Sequence, residues 1–214
     1  MLVRERMTKN PVTTTPDTSV TEALRLMRER KVRRLPVLDP HGKLVGIVAD
    51  QDLLYASPSP VSSLSVWEMN YLLAKLKVEE VMTRQVITVT EDTPLEEAAR
   101  IMVDNKIGGL PVMRDGQLAG IVTETDLFKI FLELLGARRP GVRVVAFIPG
   151  VKGTLAKITG AISGVGGNIM SFGQAMDATG TRWEITLKVQ DVSRDKLVEA
   201  IRPVVQEIID VRES

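Results

Sequence analysis

The chain has no cysteine and a single histidine. A disulfide framework, a thiolate nucleophile, a Cys-based zinc site and a histidine metal cluster are therefore excluded at the outset. Aromatic residues are scarce, at 4%, so the cores must be filled by Val, Ile, Leu, Ala and Met, as in small α/β layers. Neither sign of charge dominates. Lys and Arg number 28 against 27 Asp and Glu, a net charge of +1, which gives no whole-chain attraction to nucleic acid or to an anionic membrane. No apolar run reaches the ~18 residues of a membrane span, and the opening MLVRERMTKN lacks the apolar stretch of a signal peptide. A cytoplasmic protein with neither a membrane nor a nucleic-acid partner is expected. What is present, 26% charged and 44% apolar residues over 214 positions, suits an ordered globular chain of one large or two to three small domains.

The sequence repeats itself. MTKNPVTTTPDTSVTEALRLMRERKVRRLPVLD, from Met7, lies without a gap over MTRQVITVTEDTPLEEAARIMVDNKIGGLPVMR, from Met82; after one deletion, GKLVGIVADQDLL lies over GQLAGIVTETDLF. Each copy predicts a short strand (12–14; 86–89), then a helix for which Thr18 or Thr93 can serve as N-cap. Val20, Ala23, Leu24 and Met27 form one apolar stripe of that helix, matched by Leu95, Ala98, Ala99 and Met102. An LPV strand, a turn (DPHG; RDG), a second strand (LVGIV; LAGIV) and a closing helix from near Asp52 or Asp126 complete the copy.

Between the copies, SPSPVSSLS reads as a loop, followed by a helix over 66–76 that carries Trp67 and Tyr71 on one face. That face either covers the core or meets a partner. GARRPG marks a second boundary. Beyond it the pattern is strand 143–148, helix 154–163, strand 169–175, strand 183–189, helix 194–205 and a last strand near Ile208. This βαββαβ order is the split βαβ, ferredoxin-like plan.

The repeat resembles the CBS domain: both copies carry MT, LPV and G-I-V-x-x-x-D-L. The remainder is similar to an ACT domain through VRVVAFIPGVKGTLAKI and GGNIMSF, and the combination resembles the acetoin utilisation protein B family of regulators. The implied organisation is an α/β (α+β) chain with CBS domains at 1–58 and 78–136, a helix-containing linker at 59–77 and an ACT domain at 141–214. The resemblance implies two pseudo-symmetric clefts for an adenine nucleotide (AMP, ADP or ATP) or S-adenosylmethionine. A homodimer is implied as well.

The residues suit that chemistry. An Asp at a helix start either caps the helix or accepts hydrogen bonds from ribose hydroxyls, while a hydroxyl three residues earlier reaches sugar or phosphate. Thr123 and Asp126 supply both groups. By the resemblance their cleft also takes Val12, whose backbone would meet the adenine edge, Thr18, and Arg33 and Arg34 for phosphate. The opposite cleft takes Ile87, Thr93, Gly108, Gly109 and Asp52. There Ala49 replaces the hydroxyl and fewer charges face an anion, so weaker binding is expected.

The ACT resemblance points to Gly153, Thr154, Asn168 and Ile169 as an amino-acid site, with dimerisation alone as the other reading. Gly150 and Lys152 stand where that family has Asp and Pro.

Other signals carry no chemistry. GVGGN follows a helix, whereas a dinucleotide fingerprint follows a strand, and GVKGT lacks P-loop spacing. His41 sits in a turn. With no catalytic constellation, metal site or cofactor, the expected function is non-enzymatic regulatory ligand sensing. A degenerate adaptor that docks on a metabolic enzyme is the alternative.

Overall fold

In the computed structural model the described residues are 1–56 and 75–213; the loop, most of the 66–76 helix, Trp67 and Tyr71 expected between the copies lie outside them. The chain forms two compact units, Met1–Leu127 and Phe128–Ser214.

The first unit holds both copies. Copy one contains α1 (Val3–Arg6), β1 (Thr8–Lys9), α2 (Val20–Arg30), β2 (Arg34–Leu38), β3 (Leu44–Ala49) and α3 (Asp50–Tyr55). Copy two contains α4 (Val78–Val81), β4 (Val89–Thr90), α5 (Leu95–Asn105), β5 (Gly109–Arg114), β6 (Gln117–Thr123) and α6 (Glu124–Leu134). The expected helix stripes face inward: Val20, Ala23, Met27, Leu95, Ala98 and Met102 are all buried. Both helices end in a left-handed lysine, Lys31 and Lys106, each at φ 54°, which closes the last turn onto the carbonyls behind it.

Two details differ from the sequence reading. Ser19, not Thr18, caps α2, accepting from the Glu22 N–H at 3.2 Å, and α5 follows Pro94 with no side-chain cap. Thr18 and Thr93 hold the preceding turns, their hydroxyls accepting from the backbone N–H of Thr15 and Thr90 at 3.4 and 3.1 Å. The short first strands shrink to one bridge, Thr14 to Val37, and to Val89–Thr90 beside β5.

The copies exchange their starting segments. The Val3 N–H donates to the Thr93 carbonyl and the Val78 N–H to the Thr18 carbonyl, both at 2.9 Å. Thr8 pairs with Ile121 on β6, and Thr83 bonds Ile47 on β3 in both directions at 2.9 and 3.0 Å. Val78 and Met82 thereby enter the core of copy one.

This exchange explains why MT and GIV occur together. A Cβ on Gly120 would lie 2.5 Å from Met7 Sδ and 2.9 Å from the Thr8 carbonyl; one on Gly46 would lie 3.0 Å from Met82 Cγ and 3.2 Å from the Thr83 carbonyl. Each methionine needs a glycine on the strand it crosses.

The second unit contains β7 (Val142–Ile148), α7 (Thr154–Gly164), β8 (Asn168–Met176), β9 (Trp183–Gln190), α8 (Arg194–Ile201), a 3₁₀ turn (Arg202–Val204) and β10 (Glu207–Glu213). The expected 194–205 helix tightens at Arg202 because Pro203 cannot continue it. The antiparallel sheet has the order β10-β7-β9-β8, and its Val144, Ala146, Ile185 and Leu187 pack against Ile158, Ile162, Leu197 and Ile201. On β8 and β9, Ser171 and Lys188 donate to the carbonyls of Leu135 and Gly136 at 3.1 and 3.0 Å. They satisfy carbonyls that the end of α6 leaves without helical partners, which places Phe128–Leu134 with this unit.

Candidate functional site

The helix starts that carry the two motif aspartates are built alike. In copy two, Asp126 Oδ2 accepts from the Thr123 N–H at 3.0 Å and from its hydroxyl at 2.8 Å. In copy one, among the described residues, Asp52 Oδ2 accepts only from the Ala49 N–H, at 2.9 Å. Both carboxylates therefore act as caps, three residues into the turn. Asp126 is 8% exposed, and the Thr123 hydroxyl is already bonded to it.

Asp52 lines a cleft of about 320 Å³ between the copies, within the range of small-molecule sites. Ala49, Gln51 and Ile47 belong to its copy-one wall; Thr83, Gln85, Val86, Ile87, Lys106, Ile107, Gly108 and Gly109 come from copy two. Four of the five residues expected here, Asp52, Ile87, Gly108 and Gly109, are brought together. Thr93 lies outside this wall, its hydroxyl turned onto Thr90. Ile87 is 38% exposed and sits just before the β4 ladder.

Arg34 differs from the expectation that it serves the Asp126 cleft. It lines the Asp52 cleft, its Cδ 3.1 Å from where a Gly109 Cβ would stand, and a Gly108 Cβ would overlap its Nη2. The guanidinium occupies space that side chains at these two positions would fill. The Asp52 cleft is consequently not the charge-poor one, since Arg34 and Lys106 both face it. Arg34 Nη2 also lies 3.9 Å from Glu124 Oε2.

Of the other residues expected with Asp126, Val12 is half-buried against the copy-one core, Thr18 bonds Thr15 and Arg33 is exposed. The sequence reading missed Thr83 and Lys106, although the repeat alignment pairs them with Thr8 and Lys31 and so marks both as recurring features.

In the second unit, Gly153 and Thr154 line a cleft of about 470 Å³ with Gly150, Leu155, Gln174 and Trp183. Asn168 and Ile169 do not join them. Asn168 pairs with Gln190 at one end of the sheet, while Met176 pairs with Trp183 at the other, eight residues or roughly 26 Å of strand away. Among the described residues no group of three or more His, Cys, Asp or Glu could hold a metal ion, and no helix is long and apolar enough to cross a membrane.

A tandem repeat with exchanged starting segments and a cleft between the copies defines a two-fold tandem module. The CBS domain model matches residues 3–59 and 78–133, and the chain belongs to the CBS domain family.

Among curated proteins it is 35% identical to a CBS domain-containing protein of Dictyostelium discoideum, over 63% of this chain and 94% of that one. It is also 35% identical to the L-aspartate semialdehyde sulfurtransferase of Methanocaldococcus jannaschii, over 61% of this chain but only 23% of that enzyme. Enzyme names thus occur among proteins that carry this module as a part.

Among solved structures it is similar to the CBS domain pair of protein MJ0100 in complex with 5′-methylthioadenosine and S-adenosyl-L-methionine (34% identity, TM-score 0.52, 65% of this chain and 98% of that one). CBSX2 in complex with AMP is 38% identical with TM-score 0.52, over 62% of this chain and 97% of that one. A Vibrio cholerae protein named for acetoin utilization is 33% identical with TM-score 0.53, over 64% and 95%.

Proposed function

We propose that this chain is a regulatory, non-enzymatic sensor that binds an adenosine ligand, an adenine nucleotide or S-adenosylmethionine, between its CBS copies. The observation that carries this reading is the cleft that gathers Asp52, Ile87, Gly108, Gly109 and Arg34 from both copies. Asp52 takes the ribose hydroxyls, the backbone at Ile87 meets the adenine edge and Arg34 takes a phosphate. By the same pseudo-symmetry Asp126, Thr123, Val12, Thr18 and Arg33 serve the second cleft. Similar structures that hold AMP, 5′-methylthioadenosine and S-adenosylmethionine support the ligand class. Calorimetry with AMP, ADP, ATP and S-adenosylmethionine tests it: micromolar binding that Asp52→Ala weakens is expected. Absence of heat with all four sinks the sensor reading in favour of an adaptor that docks on a metabolic enzyme.

The second unit is read as an ACT domain, supported by its βαββαβ order and β10-β7-β9-β8 sheet. Gly153 and Thr154 can share a ligand with Asn168 and Ile169 only from a second copy, since one chain keeps them apart. A homodimer is proposed on that ground and on the exposure of Phe128 and Phe131, 67% and 56%, along one helix. Light scattering that finds monomer alone at micromolar concentration rules it out. Cytoplasmic location and a regulated enzyme of acetoin or amino-acid metabolism complete the proposal.

A further inference from the structure

We infer that the loop after α6 forms a separate binding site, for a compact anion that carries two linked phosphate groups. The site lies wholly in the second unit and stands independently of the adenosine reading.

The loop brings charge back onto the helix. Gly136, at φ 60°, lets α6 end in a Schellman turn: the Gly136 N–H donates to the Glu133 carbonyl at 3.0 Å and the Ala137 N–H to the Leu132 carbonyl at 2.9 Å. The Arg139 N–H then donates to the Gly136 carbonyl at 3.0 Å, which folds the chain back beside the last turns of the helix. Lys129, Leu132, Glu133, Gly136, Arg138 and Arg139 line a cleft of about 270 Å³ there, just under the range of drug-sized sites. Its occupant must be small. Three cations face one carboxylate, in a chain whose whole net charge is +1.

Basic residues after a helix commonly serve the carbonyls that its last turn leaves open. Here those carbonyls are taken. Leu132 and Glu133 hold the turn, Leu135 accepts from the Ser171 hydroxyl at 3.1 Å and Gly136 from the Lys188 ammonium at 3.0 Å. Lys188 is 4% exposed, and its charge offsets the negative end of the helix dipole, which would otherwise repel an anion. Among the described residues neither the Arg138 nor the Arg139 side chain has a hydrogen-bond or ion-pair partner. Two adjacent guanidinium forks suit two phosphates, each held by parallel bonds, with Lys129 as a point charge beside them. A single phosphate engages only one fork. Glu133 opposes any anion and keeps the site from holding weakly charged ones.

The test is calorimetry on the full chain with inorganic diphosphate, inorganic phosphate and citrate, for the unmutated protein and for Arg138→Gln, Arg139→Gln, Glu133→Gln and Arg34→Gln. Diphosphate is expected to bind more tightly than phosphate or citrate. Each of Arg138→Gln and Arg139→Gln is expected to weaken it roughly tenfold, the lower end of the range for a charge-assisted contact because both side chains are exposed. An unchanged urea midpoint shows that these variants are folded. Glu133→Gln is expected to tighten diphosphate, and Arg34→Gln, in the cleft between the copies, to leave it unchanged. ADP separates the sources of the phosphates: binding that Arg138→Gln and Arg139→Gln weaken assigns the tail of a nucleotide, and binding indifferent to both assigns the free ion. Diphosphate affinity that survives the loss of both arginines overturns the site, as does affinity lost only in Arg34→Gln. Citrate or phosphate bound as tightly as diphosphate overturns the ligand class, and no binding of diphosphate at all overturns the inference whole.

Discussion

The two copies share a backbone plan and differ in a few side chains around the cleft. In the interior they are interchangeable: Leu35 and Leu110 are both 0% exposed, and Arg25 and Arg100 each pair with acids three and four residues away on their helices. At the cleft they diverge. Copy two has a hydroxyl on its motif aspartate and a glycine pair; copy one has an alanine and an arginine pair. Duplication fixed the fold twice, and the differences collect where a ligand would be told from its relatives.

The equality of the interiors can be broken first. Leu35→Ala and Leu110→Ala are each expected to cost about 2–5 kcal/mol, the range for deleting a buried leucine, in a single guanidinium transition that both copies share. A biphasic curve in either variant would show copies that unfold separately.

Gly120→Ala and Gly46→Ala test the exchanged segments. Overpacking of about 1–3 kcal/mol is expected at Gly120, where a backbone carbonyl stands 2.9 Å from the new methyl. Less is expected at Gly46, whose nearest backbone atom is at 3.2 Å.

The motif aspartates sharpen the contrast. Removal of a helix cap costs about 0.5–2 kcal/mol, and Asp126→Ala, which loses the bonds from both the N–H and the hydroxyl of Thr123, should fall nearer the top of that range than Asp52→Ala, which loses the bond from the Ala49 N–H. Urea denaturation measures both, and Ala49→Thr should recover part of the gap.

The smallest effect is expected at Arg25→Gln and Arg100→Gln. These solvent-exposed ion pairs should leave the denaturation midpoint unchanged within its scatter in both copies.

Much of this fold is legible in the sequence because local signals agree with the final structure. Alternation and 3.6-residue periodicity mark the strands and helices, and the self-alignment locates the repeat from Met7 and Met82. The exchange of starting segments is not legible. Nothing in the periodicity of MTKN says which strand it joins, since pairing is a tertiary choice between two nearly identical edges. The caps show a finer limit. Thr18 and Ser19 both have a suitable hydroxyl one residue apart, and the turn that Thr18 closes with Thr15 decides between them.

At the site, the aspartates and Ile87 follow from the motif. The path of Arg34 does not, because it depends on side chains missing 75 positions further on. Asn168 marks the same limit in the second unit: the family pattern gives it a place across a dimer interface, and a single sequence does not say that β8 carries it to the end of the sheet opposite Met176 and Trp183.

The exchanged segments have a consequence for how the chain is made. Val3 and Met7 reach their places only when Thr93 and Gly120 exist, so during synthesis they wait for roughly a hundred further residues, on the order of 5–20 s at ordinary elongation rates. Copy one waits too, for Val78 and Met82. Neither half can finish folding on the ribosome by itself, and the long loops that must close before either core is sealed predict slow folding for a module of this size. The apolar edge left open in that interval is where a newly made chain is most exposed to a neighbour carrying the same segment, and a swapped dimer is the expected product of crowding two such chains.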